Sequence, residues 1–441
     1  MGNAQSPSTN HRFVSASRAF SQTELDDLKS LFLSLSAQSH SNSQYISPSV
    51  FQEYFAIHGL LGARMFVLVT QKRNDHKLTF EDLVIAKGIY EKGARDEVEE
   101  FIYQLVDVNG DGIVGSENMM ARLMDGVDLM YVCTKSDLEA VLTSILDAIF
   151  PPKNADPGSS SHQDIIGIFL NAATFSKEVE GCAENSMSFE DFKMWCSLLP
   201  SVRKFLRSLL MVPGPGRSGC QVPHLLHSEE VSSDLLILRK EYAWHIGGTL
   251  SQNELEEWQL LYHSAVNGQS FNTFLGSISK GDGPTVLLIK DKEGCVYGGY
   301  ASQPWERHSD FYGDMKSFLF QLYPRASIFR PTGANTNLQW CAVNFSSESI
   351  PNGIGFGGRA NHFGFFLSAS FDQGHTFICS TFDSPCLSNA NKIYPEVIEC
   401  WGVKAKEGKL ERPDLVKGTV LDRFKEDRHM LNMVGLANSS E

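Results

Sequence analysis

Apolar positions recur at helical spacing through the first half of the chain and at strand spacing through much of the second. Residues 1–20 are polar, rich in Ser and Asn, and read as a flexible N-terminus. Ser21-x-x-Glu24 then forms a capping box, which predicts a helix start, and Leu25, Leu28, Phe32 and Leu35 share one face behind it. Helical patterning continues to about Leu210, broken once at Pro151–His162 (PPKNADPGSSSH). A second break, Met211–Pro223 (MVPGPGRSGCQVP), has the composition of a connection, and a linker is expected over residues 211–232. Beyond it, Ser251-x-x-Glu254 predicts a further helix carrying Leu255, Trp258 and Tyr262. After Gly281 the period changes. TVLLI and CVYGGYA flank Asp291–Gly294 as a hairpin, and short aromatic runs separated by Gly, Asn and Pro follow. That order favours an antiparallel β-sandwich over βαβ units. In the tail, Val416, Val420, Leu421, Phe424, Met430, Leu431 and Val434 predict a short amphipathic helix within residues 404–441. The fold class expected is multidomain: an all-α half over residues 21–210, then an α+β domain.

One loop of the helical half carries candidate chemistry. Residues 107–118 read Asp107-Val-Asn109-Gly-Asp111-Gly112-Ile113-Val-Gly115-Ser-Glu117-Asn118 and match an EF-hand loop at its first, third, fifth and sixth positions. Asp107, Asn109 and Asp111 would offer side-chain oxygens and Ile113 a carbonyl, while Gly112 permits the sharp bend. Val114, at the eighth position, is where two such loops would pair by a short β contact. The twelfth position departs from the pattern: the usual bidentate Glu is replaced by neutral Asn118, with Glu117 one place early as a substitute ligand. Two carboxylates in the shell place calcium affinity at the weak end, at about 10⁻⁴ M or poorer. Lys77–Leu83 (KLTFEDL) and Ser186–Phe192 (SMSFEDF) resemble exits of degenerate EF loops, and Ser36–Ser49 has the length of one with hardly any carboxylates. The helical half is therefore expected to be an EF-hand-like array, mostly metal-free, with calcium as its one candidate cofactor.

A length of 441 residues implies two or three domains, and 42% hydrophobic with 20% charged residues is a globular composition. The net charge of −14 argues against nucleic acid as a partner, which needs a basic face. Nine scattered cysteines without a CxxC pair suggest reduced thiols rather than a disulfide framework or a zinc site. Without an apolar window of spanning length or an N-terminal signal core, the chain is expected neither to span a membrane nor to enter the secretory route. Yet Gly2, followed by small uncharged residues and Ser6, fits the N-myristoylation pattern. A single such chain anchors marginally, with an association constant of about 10⁴ M⁻¹, so attachment should be reversible. The expected place is the cytoplasm, peripheral on the cytosolic face of a lysosomal, vacuolar or plasma membrane.

Two other patterns carry less. Gly353-x-Gly355-x-Gly357-Gly358 looks like a phosphate cradle, but it leads into FGFFLSASF, a strand pattern, where a nucleotide loop must open a helix. Tight turns explain it better. His362, His375, Cys379 and Cys386 follow no metal-ligand spacing and read as core and surface residues.

The second half has a more particular vocabulary. In order it reads FNTFLGSI (Phe271–Ile278), TVLLIKDKEGCVYGGYASQPW (Thr285–Trp305), FYGDMKSFLF (Phe311–Phe320), TGANTNLQWC (Thr332–Cys341), GIGFGGRANHFGFFL (Gly353–Leu367), STFDSPCLS (Ser380–Ser388) and VIECWGV (Val397–Val403). This run resembles the TLDc domain, expected over residues 233–403. Among TLDc proteins, an MGN start before a helical half is similar to the plant EF-hand/TLDc type and to the lysosome-associated, MTOR-linked type. The resemblance implies no catalytic residues. It implies instead a regulator that docks on peripheral subunits of a V-type proton ATPase, with an indirect role in oxidative-stress resistance. Glu306, beside Trp305, and the apolar stripe Leu421, Phe424 and Leu431 are the candidate partner contacts. Two rival classes remain: a calcium sensor that opens a groove for target helices, and an enzyme of thiol or peroxide chemistry.

Overall fold

The computed structural model describes residues 11–39, 44–71, 75–108, 133–151, 162–177, 185–212, 217–229, 231–278, 283–347 and 349–404. Helices fill the first half, and their starts share one local word. Thr79-x-x-Asp82, Thr134-x-x-Asp137 and Ser188-x-x-Asp191 each close a capping box, opening helices Phe80–Lys87, Lys135–Ile149 and Phe189–Leu198. In each box the Asp carboxylate accepts the cap N–H, at 2.9, 2.9 and 3.0 Å. The capping box expected at Ser21 opens helix Gln22–Gln38, with Leu28, Phe32 and Leu35 buried.

The residue before the cap does a second job. Leu78 exchanges backbone hydrogen bonds of 2.9 and 3.2 Å with Ile46, and Met187 donates its N–H to the Cys133 carbonyl at 2.8 Å. Each bridge ties two helix–loop–helix units. The first joins Gln22–Gln38 and Pro48–Phe55 to Gly59–Val69 and Phe80–Lys87. Segments Lys77–Leu83 and Ser186–Phe192 thus open helices, as their patterns predict. Cys133, which bridges to Met187, precedes a third copy of the cap word in Thr134 and Asp137; Val114, of which a short β contact is expected, lies outside the described residues.

The second half folds into two sheets among the described residues. Strands β1 (His224–Leu226), β2 (Glu257–His263), β3 (Thr285–Asp291), β4 (Val296–Ala301), β5 (Phe318–Tyr323), β6 (Ser327–Phe329) and β12 (Pro395–Lys404) form one, in the order β1-β2-β12-β3-β4-β5-β6. Strands β7 (Gln339–Ala342), β8 (Gly353–Phe356), β9 (Phe365–Ser368), β10 (Gly374–His375) and β11 (Lys392–Ile393) form the other, in reverse order. Pairing is antiparallel except between β1 and β2. The Asp291–Gly294 hairpin forms as predicted, with Gly294 at φ +82°.

Strand β3 explains how the halves meet. Leu287 and Ile289 pack with Phe356, Phe365 and Leu367 of the second sheet, whereas Val286 and Leu288 join a core that runs into Phe169, Trp195 and Trp244. A strand buried on both faces reads as the continuous apolar run TVLLI. The helical half therefore covers one face of the large sheet and shares its core. Polar contacts fasten the same seam: Ala326 donates to the Ile168 carbonyl at 3.1 Å, and Arg239 pairs with Asp164 at 2.7 Å.

Two expectations change. Ser251 and Glu254 do close a capping box, but it yields a single 3-10 turn, Gln252–Leu255, followed by β2 rather than a helix. Trp258, Leu260 and Tyr262 satisfy a period of two as well as a helical one, and hydrogen bonding to β12 decides for the strand. The stretch 211–232 is also more than a connection. It contributes β1, and the buried Arg217 donates to the Phe55 carbonyl at 2.8 Å and the Ser208 carbonyl at 3.1 Å. Phe55 ends helix Pro48–Phe55, so a helix C-terminus meets this cation.

His245, fully buried on helix Lys240–Gly247, has neither ring nitrogen hydrogen-bonded, and its ring packs on Phe169. Burial pushes its pKa down to about 3. The unfolded chain, with an ordinary His near 6.5, takes up the proton first, so this residue's contribution to stability is lost as pH falls from about 6.5 toward 3. His245→Phe is expected to remove up to one proton's worth of slope, about 1.4 kcal/mol per pH unit, from urea denaturation measured between pH 7 and 5.

Candidate functional site

Asp107, the first ligand of the predicted loop, ends helix Arg95–Val106 and is fully buried. Its Oδ2 lies 3.1 Å from Nη2 of Arg64, a buried residue of helix Gly59–Val69. The Arg64 Nε donates to the Gln104 carbonyl at 3.2 Å, which fixes the guanidinium. The carboxylate expected to ligate calcium is engaged by an intramolecular cation, and an ion would have to compete with Arg64 for it. Asn109, Asp111, Ile113, Glu117 and Asn118 lie outside the described residues, as do Gly2 and the stripe Leu421, Phe424 and Leu431. Among the described residues no group of three or more His, Cys, Asp or Glu could hold a metal ion. No helix among them is long and apolar enough to cross a membrane.

Glu306 sits between β4 and β5 on a segment clamped on both sides. Trp305 is buried against Phe274 and Phe356 and donates Nε1–H to Thr285 Oγ1 at 2.8 Å. The Glu306 N–H meets the Tyr312 hydroxyl at 3.2 Å, and Gln339 Nε2 donates to that hydroxyl at 3.0 Å. Arg307 turns back, donating to the Val343 carbonyl at 2.8 Å and lying over the Phe345 ring. Between these fixed neighbours the Glu306 side chain is 70% exposed, with His308 Nε2 at 3.9 Å. These contacts hold the backbone, and the carboxylate is exposed.

The remaining candidates serve structure. Gly353 opens strand β8, where a Cβ would lie 2.0 Å from the Leu367 carbonyl oxygen; Gly357 and Gly358 turn at φ +67° and +80° toward β9. The run joins two strands and opens no helix. His362 stacks on Phe377, His375 packs on Phe366, and Cys379 lies in the core between the sheets. Burial pushes the Cys133, Cys196, Cys220 and Cys295 thiols up, and Cys341 and Cys400 to about 12, the reverse of an activated thiolate.

One buried pair resembles a catalytic dyad. Glu399 and His263, both buried, approach to 3.7 Å. Every polar atom of the Glu is engaged: it accepts from the Ile237 N–H at 2.5 Å, the Leu238 N–H at 3.2 Å and Trp401 Nε1 at 2.9 Å. His263 accepts from the Ala265 N–H through Nδ1 and faces the Leu235 carbonyl with Nε2. The pair is a clamp holding residues 235–238 to β12. Composition and spacing give no sign of it, since Glu399 and its backbone donors Ile237 and Leu238 are far apart in sequence.

Residues 231–404 match the family model described as the TLDc domain. The chain is 32% identical to MTOR-associated protein MEAK7 of Danio rerio over 282 residues, 61% of this chain and 60% of that one. It is 33% identical to the protein of that name from Homo sapiens over 202 residues, 45% of this chain and 43% of that one. Oxidation resistance protein 1 of Rattus norvegicus is 29% identical over 144 residues, 33% of this chain and 16% of that one. The chain spans about three-fifths of the length of the zebrafish relative and less of the others.

Proposed function

From a chain whose residues 231–404 form a TLDc domain, we propose a non-catalytic, membrane-associated regulator that binds peripheral subunits of a V-type proton ATPase. The observation that carries a docking role is Glu306, an exposed carboxylate on a backbone clamped by Trp305, Tyr312 and Arg307. An exposed carboxylate on a held backbone selects a basic counterpart. Relatives named for association with MTOR support a protein-binding duty, and those named for oxidation resistance support an indirect part in oxidative stress. Reversing the charge tests the contact without disturbing the fold. Glu306→Arg is expected to weaken co-sedimentation with the purified peripheral sector about tenfold, close to 1.4 kcal/mol. Undiminished binding would remove Glu306 from the interface.

Membrane attachment rests on Gly2 and Ser6, and calcium on the Asp107 loop. Gly2→Ala is expected to move the protein from membrane to soluble fractions, with the intact mass of native protein carrying a myristoyl increment. A soluble wild type, or an N-terminus without the acyl chain, refutes the attachment. Two carboxylates, one of them held by Arg64, make calcium a weak ligand in this reading.

A further inference from the structure

Helix Pro200–Leu206 lies where the helical half meets the TLDc domain, and a cavity of about 110 Å³ opens beside it. Ser201 and Lys204 line it from the helix, Gly219 and Gln221 from the connection, and Trp244 and Gln252 from the TLDc side. We propose that this cavity binds a phosphate-type oxyanion, held by the Lys204 ammonium and the Ser201 hydroxyl, which fastens the two halves together.

Lys204 carries a charge that no carboxylate compensates among the described residues. Its half-buried ammonium donates to the Leu250 carbonyl at 3.1 Å. The exposed Arg330, just past β6, adds to burial in lowering the Lys204 pKa. A cation partly withdrawn from water without a counter-ion is held at a cost, and an anion relieves it. Ser201 is the independent observation. The residue is 1% exposed and lines the cavity, and its Oγ has no hydrogen-bond partner. Such a hydroxyl is a donor without an acceptor. The volume has room for several waters or for one tetrahedral oxyanion. Waters would satisfy the hydroxyl but leave the charge uncompensated, which favours the anion.

Thermal unfolding of the full chain decides the matter, in sodium phosphate against sodium chloride at matched ionic strength. The wild-type Tm is expected to rise saturably with millimolar phosphate, as mass action requires of a ligand bound only by the folded state. Lys204→Met should weaken the apparent affinity at least about tenfold, and Ser201→Ala by a smaller factor. Gln252→Glu supplies a carboxylate at an exposed position of the cavity wall, so it should raise Tm in chloride and abolish the response to phosphate even if Lys204→Met fails to fold. Glycerol 3-phosphate separates the sources: a shift equal to that of inorganic phosphate shows that a phosphate group on a small molecule is accepted, whereas a shift with inorganic phosphate alone shows the free ion. An equal rise in wild type and in the Lys204 and Gln252 variants, as a general excluded-salt effect would give, overturns the proposal, as does no saturable rise.

Discussion

Asp107→Ala is expected to lower the unfolding free energy by about 3–5 kcal/mol, the loss typical of breaking a buried ion pair from one side. Asp107 is fully buried, its partner Arg64 is 7% exposed, and the alanine would leave a guanidinium held between two helices without its carboxylate. The penalty belongs to the stranded charge, so removing both ends should recover most of it: Asp107→Ala with Arg64→Met is predicted to be markedly more stable than Asp107→Ala alone. Urea denaturation of the four proteins measures this cycle. A loss under about 1 kcal/mol in the single variant would show that the pair is not buried as described. The same geometry changes how the calcium reading is tested. Abolished binding in Asp107→Ala would report a damaged fold as readily as a lost ligand. Asn118→Glu is the cleaner variant, because it adds the missing bidentate carboxylate without touching Arg64, and calorimetry should show tighter calcium binding than wild type. Submicromolar binding by wild type, or no change in the variant, would contradict the account of this loop.

Glu399→Ala is the second large effect, expected at about 3 kcal/mol or more. Two backbone N–H groups and the Trp401 indole lose their acceptor at once, and buried orphan donors cost about 1–3 kcal/mol each. Part is offset because burial raises the Glu399 pKa, so the ionised carboxylate is itself held at a cost. The sign of that offset is testable: as pH falls below the raised folded value, Glu399 takes up its proton in the fold before the unfolded chain does, and its charge-burial penalty is relieved. Glu399→Gln should not substitute for the native residue, because its amide N–H₂ must face at least one of the three donors. Hydrogen exchange locates the damage. Protection of the Ile237 and Leu238 amides should fall first, while the β3–β4 hairpin keeps its protection.

How much of this was legible in the sequence divides along local and non-local lines. The capping box at Ser21, the helix starts within Lys77–Leu83 and Ser186–Phe192, the Asp291–Gly294 hairpin and the antiparallel two-sheet architecture follow from spacings within a few residues. Strand β2 did not, because Trp258 and Tyr262 fit two periods and only the register with β12 selects one. The structural part played by residues 217–226 was hidden by a Pro- and Gly-rich composition that suits an exposed connection equally well. Arg64 opposite Asp107, and Glu399 beneath Ile237 and Leu238, are contacts between distant segments that no local pattern announces. Glu306 is singled out in the sequence through its neighbour Trp305, whose burial holds the backbone beside the exposed carboxylate.

The central claim, a TLDc regulator that acts by binding a V-type proton ATPase, is tested most directly by affinity capture. Full-length protein would be recovered from detergent-solubilised membranes and its partners quantified by mass spectrometry, with and without calcium. The account predicts peripheral ATPase subunits enriched with wild type, depleted with Glu306→Arg, and little changed by calcium. Recovery of no ATPase subunit from membranes that contain the enzyme would contradict it, whatever the N-terminus and the calcium loop prove to do.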